Sequence, residues 1–451
     1  MGNEVVRGAG TGHGPVPAQS SARDPEPSSE VRAAVAQAHR QEWALVLAAT
    51  VRVTRDIDVA EECVQDAYVS ALAAWTRTGV PDNPAAWLTT TARRKALDAL
   101  RRDKTLRSKL PLLIEPGFDP EPPSTGADVF PDDRLRLVFT CCHPALSREA
   151  QVALSLRLIC GLTTAEIAAA FLVPESTMAA RVTRAKKKIT AARIAYRVPA
   201  ERDLPERLDG VLTVIHLLFT TGHTAPAGER LVKAELVERA IELARMVSSL
   251  MPDEREVRGL LALMILTDAR RATRTDEQGR ILLLSEQDRS RWDHAAIVEG
   301  AQLSADAMRG AIRGRFAIQA SIASVHAQAR TYEQTDWRLL VARYDDLLRA
   351  WPSPVVELNR AVAVAMVDGP AAGLAEIQRL EASGKLSGYR YLPAAKADLL
   401  RQAGRAAEAA ASYRAALELT QNEAERVFLA QRLAEVGGEA VAAAPEAQAE
   451  Q

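Results

Sequence analysis

Three adjacent residues, Cys141, Cys142 and His143, are of the types that bind transition metals. A tetrahedral zinc site needs its cysteines in pairs separated by two to four residues, and adjacent cysteines do not offer that spacing. The remaining cysteines, Cys63 and Cys160, lie within apolar helical runs. We therefore expect four buried thiols, with no disulfide framework and no metal site.

Motifs that would support catalysis are missing from the sequence. It contains no Gly-rich phosphate loop, no H-E-x-x-H pair and no nucleophile elbow. We therefore expect no catalytic residue and no cofactor, and the chain is not expected to be an enzyme.

Basic side chains supply the strongest candidate chemistry, and the clearest group lies in residues 162–189. Thr163 and Glu166 have the spacing of a capping box that opens a short helix, and Leu172-Val173-Pro174 forms a turn. Pro174 suits the first position of the second helix, because its missing N–H is not needed there. The apolar residues of that helix share one face: Met178, Val182, Ala185 and Ile189.

The opposite face of this second helix predicts contact with DNA. Its residues are Glu175, Ser176, Thr177, Ala179, Arg181, Arg184, Lys187 and Lys188. Glu175 is the only acid in residues 175–197, against seven Lys and Arg residues. Helix-turn-helix proteins insert such a helix into the major groove, where its first residues read base edges and basic residues meet phosphates. An ordinary helical hairpin with a solvated basic face is the alternative.

A second basic cluster and an acidic helix face precede this motif. Residues 93–109 hold eight Lys and Arg residues and two acids, a footprint typical of nucleic-acid binding, and include Arg93, Arg94, Lys95, Arg101 and Arg102. The predicted packing stripe of this helix is Trp87, Leu88, Ala92, Ala96, Leu97 and Leu100.

The 56–75 helix is predicted to bury Val64, Ala67, Tyr68, Ala71, Leu72 and Trp75. Its other face, Asp58, Glu61, Glu62, Gln65 and Asp66, suits a basic protein partner or simply solvent.

The elements that position these side chains are helical throughout, so the predicted fold class is all-α. The 451 residues carry a formal net charge of −1, with 47% hydrophobic and 25% charged residues, which excludes collagen-like and wholly disordered chains. No apolar run is long enough to cross a membrane, and the first 30 residues lack the apolar core of a signal peptide. We therefore expect a cytoplasmic protein.

Composition and periodicity divide the chain into seven segments. Residues 1–30 and 437–451 are predicted to be disordered tails, and the Pro-rich residues 110–131 a flexible linker. Residues 31–109 and 132–197 are predicted to form two small helical domains. A helical extension would follow over 198–330, with helical repeats over 331–436.

The repeats and the extension lead to two further expectations. Gly369 and Gly404 stand 35 residues apart in similar turns, a period that is typical of tetratricopeptide repeats. We expect the extension to dock near 132–197. Two polar segments, 268–271 and 287–293, would form either a regulatory contact surface or ion pairs and caps within the extension.

Together these motifs resemble extracytoplasmic-function RNA polymerase sigma factors. Two segments look like region 2: D-x-x-x-A-E-E-x-V-Q-D-A-Y and P-x-x-W-L-x-x-x-A-R-R-x-A-x-D-x-x-R-R. The segment L-T-T-x-E-I-A…V-P-x-S-T-M-x-x-R-x-x-R-A looks like region 4. Asp132–Pro144, Gly259–Met264, Gln287–Asp293 and Ser353–Ala363 resemble the subgroup with a large C-terminal, tetratricopeptide-like domain.

The resemblance implies a factor for transcription initiation. Its acidic face would bind the β′ clamp helices of core RNA polymerase, with the β flap as a further contact. The 93–102 helix would recognise and help open the −10 element of promoter DNA, and the 175–188 helix would read the −35 element. The extension would regulate these steps, with a regulatory protein as a candidate partner. Residues 80–95 offer only Trp87 as an aromatic, so the residue that would capture a flipped base is not identified.

Two other classes of function stay open on the sequence. A helix-turn-helix regulator would bind operators without polymerase, and a repeat scaffold would bind proteins while its basic helices were incidental. Promoter-specific transcription with purified core polymerase distinguishes the three, because only a sigma factor supports it.

Overall fold

In a computed structural model, the described part of the chain has an all-helical architecture. The structure describes residues 27–109, 133–171, 173–224, 231–310 and 313–442. Within these ranges the chain forms eighteen α-helices and no β-strand, and a single β-bridge joins Thr275 to Ile281. The predicted all-α class is confirmed.

The first three helices form an N-terminal bundle: α1 Ser29–Thr54, α2 Ile57–Thr78 and α3 Pro84–Lys109. Side chains of Ser28, Asp56 and Asn83 begin these helices by accepting hydrogen bonds from first-turn amides at 3.2, 2.8 and 3.0 Å. Because Ser28 caps α1, the helix starts two residues before the predicted domain boundary at residue 31.

A second block holds the helix-turn-helix. It comprises α4 Asp133–Cys141, α5 Arg148–Leu154, a π-helical turn Ser155–Ile159, α6 Thr164–Phe171 and α7 Glu175–Ala191. The predicted capping box is confirmed: the Thr163 amide donates to the Glu166 carboxylate at 2.7 Å, and the Glu166 amide donates to the Thr163 hydroxyl at 3.2 Å. Pro174 is the N-cap of α7 rather than its first helical residue, since its carbonyl accepts from the Met178 amide at 3.2 Å.

Eleven helices of the described chain form the extension: α8 Leu204–His223, α9 Ala234–Leu250, α10 Arg255–Asp268, α11 His294–Ala307, α12 Arg315–Gln328, α13 Trp337–Ala350, α14 Pro354–Asp368, α15 Pro370–Ser383, α16 Tyr391–Gln402, α17 Ala406–Leu419 and α18 Glu423–Ala442. Gly369 and Gly404 stand in the turns of two successive hairpins, α14–α15 and α16–α17. Their φ angles of +90° and +71° suit glycine. The last helix continues to Ala442, six residues into the predicted tail.

One apolar core unites the N-terminal bundle, the helix-turn-helix block and helices α8, α9 and α10. Arg207 of α8 donates to the Phe139 carbonyl at 2.8 Å, and Lys233 donates to the Ala170 carbonyl. The predicted docking of the extension beside 132–197 is therefore confirmed. Smaller apolar clusters hold the later helices together.

The predicted linker at 110–131 and most of both predicted tails, residues 1–26 and 443–451, lie outside the described residues. Among the helices that are described, none combines the length and the apolarity that crossing a membrane requires.

Candidate nucleic-acid and polymerase interface

The second helix of the helix-turn-helix, α7, presents the predicted polar residues outward. Its apolar residues Met178, Val182, Ala185 and Ile189 are buried, as their spacing predicts. Arg181 is half-buried, and the remaining members of the predicted set are exposed: Glu175, Ser176, Thr177, Ala179, Arg184, Lys187 and Lys188. The surface thus begins with short polar side chains and ends with cations, which is the order that base edges and phosphates require.

The basic face of α3 is also exposed. Arg93, Arg94, Arg101 and Arg102 are exposed, whereas Lys95 is half-buried and lies 3.9 Å from the Asp66 carboxylate. Asp98 lies among the arginines, and its carboxylate is 3.3 Å from the Arg101 guanidinium. Exposed pairs of this kind are weak, so these cations can exchange their partners for phosphates.

The predicted packing stripe of α3 was wrong at its C-terminal end. Leu88, Ala92 and Ala96 are fully buried, but Leu97 and Leu100 are 45% and 37% exposed. Leu88, Ala92 and Ala96 recur every four residues on one face of α3, whereas Leu97 lies about 180° around the helix from Leu88 at about 3.6 residues per turn. Trp87 is half-buried, and its ring meets Trp75 edge-on at 5.7 Å between centroids.

Four of the five residues predicted to bind polymerase are exposed on α2: Asp58, Glu62, Gln65 and Asp66. Glu61 differs from them, because its side chain is only 6% exposed and carries ion pairs to Arg157 and Lys186. The predicted open acidic face is therefore incomplete in this arrangement. The carboxylate at the centre of this face, that of Glu61, is already paired with cations of the same chain.

Glu61 is the centre of a charge cluster between the N-terminal bundle and the helix-turn-helix block. Lys186 of α7 lies 2.7 Å from carboxylate oxygens of both Asp58 and Glu61. Burial alone would lower the pKa of Lys186, but hydrogen bonds to these two carboxylates outweigh it and raise that pKa. Arg157, in the π-helical turn, completes the cluster and also donates to the Leu162 carbonyl at 3.1 Å.

Sequence reasoning missed this cluster. Its partners lie 125 residues apart for Lys186 and Glu61, and no local pattern pairs residues over that separation. One signal was available: Lys186 follows the buried Ala185, and it is the one lysine of the Lys186-Lys187-Lys188 run that lay outside the predicted solvent-facing set.

Backbone contacts reinforce the junction between the two blocks. The Trp43 indole of α1 donates to the Leu158 carbonyl at 3.1 Å, and the Tyr196 hydroxyl lies 3.1 Å from the Ala48 carbonyl. Gly161 sits against the Trp43 ring, where an added Cβ would lie 3.1 Å from the indole. Its φ of +71° also disfavours any other residue.

No metal site emerges in the described chain. No group of three or more His, Cys, Asp or Glu side chains is placed to hold an ion there. Cys63, Cys141 and Cys142 are buried and Cys160 is half-buried, all as free thiols. Burial raises the pKa of Cys142 to about 11 and of Cys160 to about 12, which makes them poor nucleophiles.

Comparison with known proteins agrees with this division of the chain. Residues 40–105 match Sigma-70 region 2, residues 136–189 match Sigma-70, region 4, and residues 207–308 match a family of unknown function (DUF6596). "Uncharacterized protein R00370" of Rhizobium meliloti (strain 1021) is 40% identical over 404 residues, which is 89% of this chain and 95% of the relative. No solved structure matches.

Sigma-70 family proteins are transcription factors rather than enzymes. Region 2 and region 4 both match here, and an extension follows them. The chain belongs to this family, as a sigma factor of the extracytoplasmic-function type with a C-terminal extension.

Proposed function

We propose that this sigma factor binds core RNA polymerase and directs initiation at specific promoters. Region 4 would read the −35 element through α7, with Ser176 and Thr177 near base edges and Arg184, Lys187 and Lys188 on phosphates. The observation that carries the proposal is the geometry of α7, whose polar and basic residues are exposed above a buried apolar stripe.

Region 2 would supply the other two contacts. The exposed cations of α3 would engage the −10 element, with Arg93, Arg94, Arg101 and Arg102 outermost and Lys95 beside them. The exposed residues of α2 (Asp58, Glu62, Gln65 and Asp66) would bind the β′ clamp helices, and region 4 would approach the β flap. The polymerase performs the chemistry, so no catalytic group is required of this chain.

We further propose that the arrangement described here is a closed, regulated state. Arg157 and Lys186 of region 4 hold Glu61, in the middle of the face that polymerase would bind. The extension packs on region 4 through α8, as the Arg207 bond to Phe139 illustrates. A regulatory protein that bound the extension could therefore shift the balance between closed and open states.

Transcription with purified core polymerase on a library of genomic fragments tests the proposal. The full-length protein should produce specific transcripts, and Glu62→Lys combined with Asp66→Lys should abolish both core binding and transcripts without changing the circular dichroism spectrum. The matched control Glu235→Lys with Asp253→Lys reverses two exposed acids of the extension and should keep full activity. Operator binding without transcripts would instead indicate a polymerase-independent regulator, and the absence of both would indicate a scaffold.

A further inference from the structure

The extension contains a cavity of about 510 Å³ that is partly open to solvent and lies between α10, α12, α13 and α14. Its walls are mainly apolar and aromatic, with Leu266, Ile322, Trp292 and Trp351 among them. A second cavity of about 460 Å³ shares Leu284, His326, Tyr344 and Asn359 with it, so the two adjoin. Spaces of this size and character are typical of sites for small organic molecules.

One charged side chain lines the larger cavity, and it lacks a counterion. In the part of the chain that the structure describes, no carboxylate pairs with the guanidinium of Arg270. Burial and the neighbouring Arg289 lower the pKa of Arg270, so its surroundings disfavour the charge that it carries. The next residue, Arg271, is paired with both Asp268 and Glu238, which shows that the missing partner is specific to Arg270.

Arg289, the charged group that acts on Arg270, adds positive potential. Arg289 donates to the carbonyls of His326 and Ala329 at 2.8 and 2.7 Å, and its guanidinium lies 4.6 Å from the Trp292 ring centroid. Exposed Glu333 acts on Arg289 only at a distance. Burial, Arg270 and Arg289 lower the pKa of His326 to about 4, so its imidazole is neutral at physiological pH.

Neutral polar groups complete the lining. The Nδ1 atom of His326 is buried without a hydrogen-bond partner among the described residues. Tyr344 is neutral at physiological pH, and burial raises its pKa to about 12. Arg270 is half-buried, and a partly desolvated cation without a partner is stabilised by a ligand that supplies the opposite charge. The second cavity contrasts with this one, because its Arg401 is paired with Asp398 at 2.8 Å.

We propose that this cavity binds a small organic anion, with its acidic group on Arg270 and an apolar or aromatic body between Trp292, Ile322 and Trp351. A carboxylate, sulfonate or phosphate monoester has the required head group. The adjoining cavity leaves room for a longer body. The polar segments 268–271 and 287–293 then have two roles: Asp268, Asp288 and Asp293 make ion pairs and caps, while Arg270 serves the cavity. This proposal concerns binding alone and does not depend on the sigma-factor function.

Calorimetric titration of the full-length protein with two probes tests the proposal. The anionic probe is 8-anilinonaphthalene-1-sulfonate, and the neutral probe is N-phenyl-1-naphthylamine, which has the same aromatic body without the sulfonate. We expect saturable binding of one anionic probe per chain. Arg270→Met should weaken it at least tenfold while changing the neutral probe less than twofold. Arg270→Lys, which keeps the charge, should retain most of the affinity.

Two further variants control for probes that bind elsewhere. Arg309→Met removes an exposed arginine of the same domain and should leave both affinities unchanged. Ala323→Phe places a ring in the cavity and should weaken both probes. The proposal is overturned if Arg270→Met, folded by circular dichroism, binds the anionic probe like wild type. It is also overturned if Ala323→Phe affects neither probe, or if neither probe binds.

Discussion

At the scale of single residues, Glu61 joins two regions of the sigma factor through one carboxylate. Its side chain and those of its partners Arg157 and Lys186 are 6%, 18% and 13% exposed. Arg157 therefore depends on Glu61 for compensation of its charge, whereas Lys186 is paired with both Glu61 and the exposed Asp58. Removing one partner of a buried ion pair is far more damaging than never having had the pair.

We predict that Glu61→Gln lowers the free energy of unfolding by about 3 kcal/mol, because the poorly solvated Arg157 loses its counterion and Lys186 keeps only the exposed Asp58. Glu62→Gln alters an exposed neighbour on the same helix and should change stability by less than about 0.5 kcal/mol. Urea denaturation followed by circular dichroism measures both. Equal midpoints for the two variants would show that the cluster contributes no stability.

Local chemistry made some residues predictable and others not. The capping box of Thr163 and Glu166 could be predicted, since its partners are three residues apart and their geometry is fixed by the helix. Leu97 was placed wrongly because it was assigned to the stripe for its apolar character, although the helical period puts it on the side of α3 opposite to Leu88. The burial of Glu61 could not be predicted, because its partners Arg157 and Lys186 come from another region and meet it only in the folded chain.

At the scale of elements, α7 packs through one face and exposes the other to solvent. Its buried stripe depends on the period of the helix, which is why the sequence predicted it correctly. Substitutions on the exposed face should therefore change DNA binding without unfolding the helix.

Arg184→Ala should weaken binding to −35 duplexes. If Arg184 contacts phosphate, the loss should be similar across sequences, and the slope of log affinity against log salt should fall by about one. If it contacts a guanine edge, the loss should be about 1–3 kcal/mol and confined to one position. Arg202→Ala removes an exposed arginine beyond α7 and serves as control. Fluorescence anisotropy over a series of salt concentrations gives both the affinity and the slope. If Arg184→Ala changes neither, the basic face of α7 is simply solvated.

The helices of the extension contain half-buried histidines that make its stability depend on pH. Burial and Arg315 lower the pKa of His216 to about 4, and His326 has a similar value. The unfolded chain binds these protons near pH 6.5, whereas the folded chain does not. Stability is therefore full above pH 6.5 and falls as the pH drops toward 4.

When the pH is lowered from 7 to 5.5, each of these two histidines should reduce the free energy of unfolding by about 1 kcal/mol. His326→Gln should remove its share of this loss, whereas His294→Gln, at an exposed position on α11, should not. Urea midpoints at the two pH values provide the measurement. If His326→Gln shows the same pH dependence of the urea midpoint as wild type, groups other than His326 cause that dependence.

At the scale of the whole molecule, region 2, region 4 and the first helices of the extension share one apolar core. A truncation after Arg197 would remove α8 and expose the surface that it covers on α4 and α5. Effects of such a truncation on transcription would therefore mix lost regulation with lost stability. Substitutions at the junction between regions 2 and 4 perturb the arrangement more selectively.

Lys186→Gln should loosen the closed arrangement and increase the apparent affinity for core polymerase, by up to about tenfold for about 1.4 kcal/mol of lost closure. Lys187→Gln removes the same charge from the next residue, which is exposed, and is the matched control. The measurement is the affinity of each variant for core polymerase in the absence of DNA. Equal affinities for the two variants would mean that the contact does not compete with polymerase.

The place of Trp43 has an optical consequence. Its indole is 3% exposed, donates to the Leu158 carbonyl and rests on Gly161, so it bridges regions 2 and 4. Separation of the two regions would bring water to the ring and shift its emission to longer wavelength. Subtracting the spectrum of Trp43→Phe isolates this signal from the other five tryptophans. The junction thus carries an intrinsic fluorophore that reports, without any label, when a partner separates the two regions.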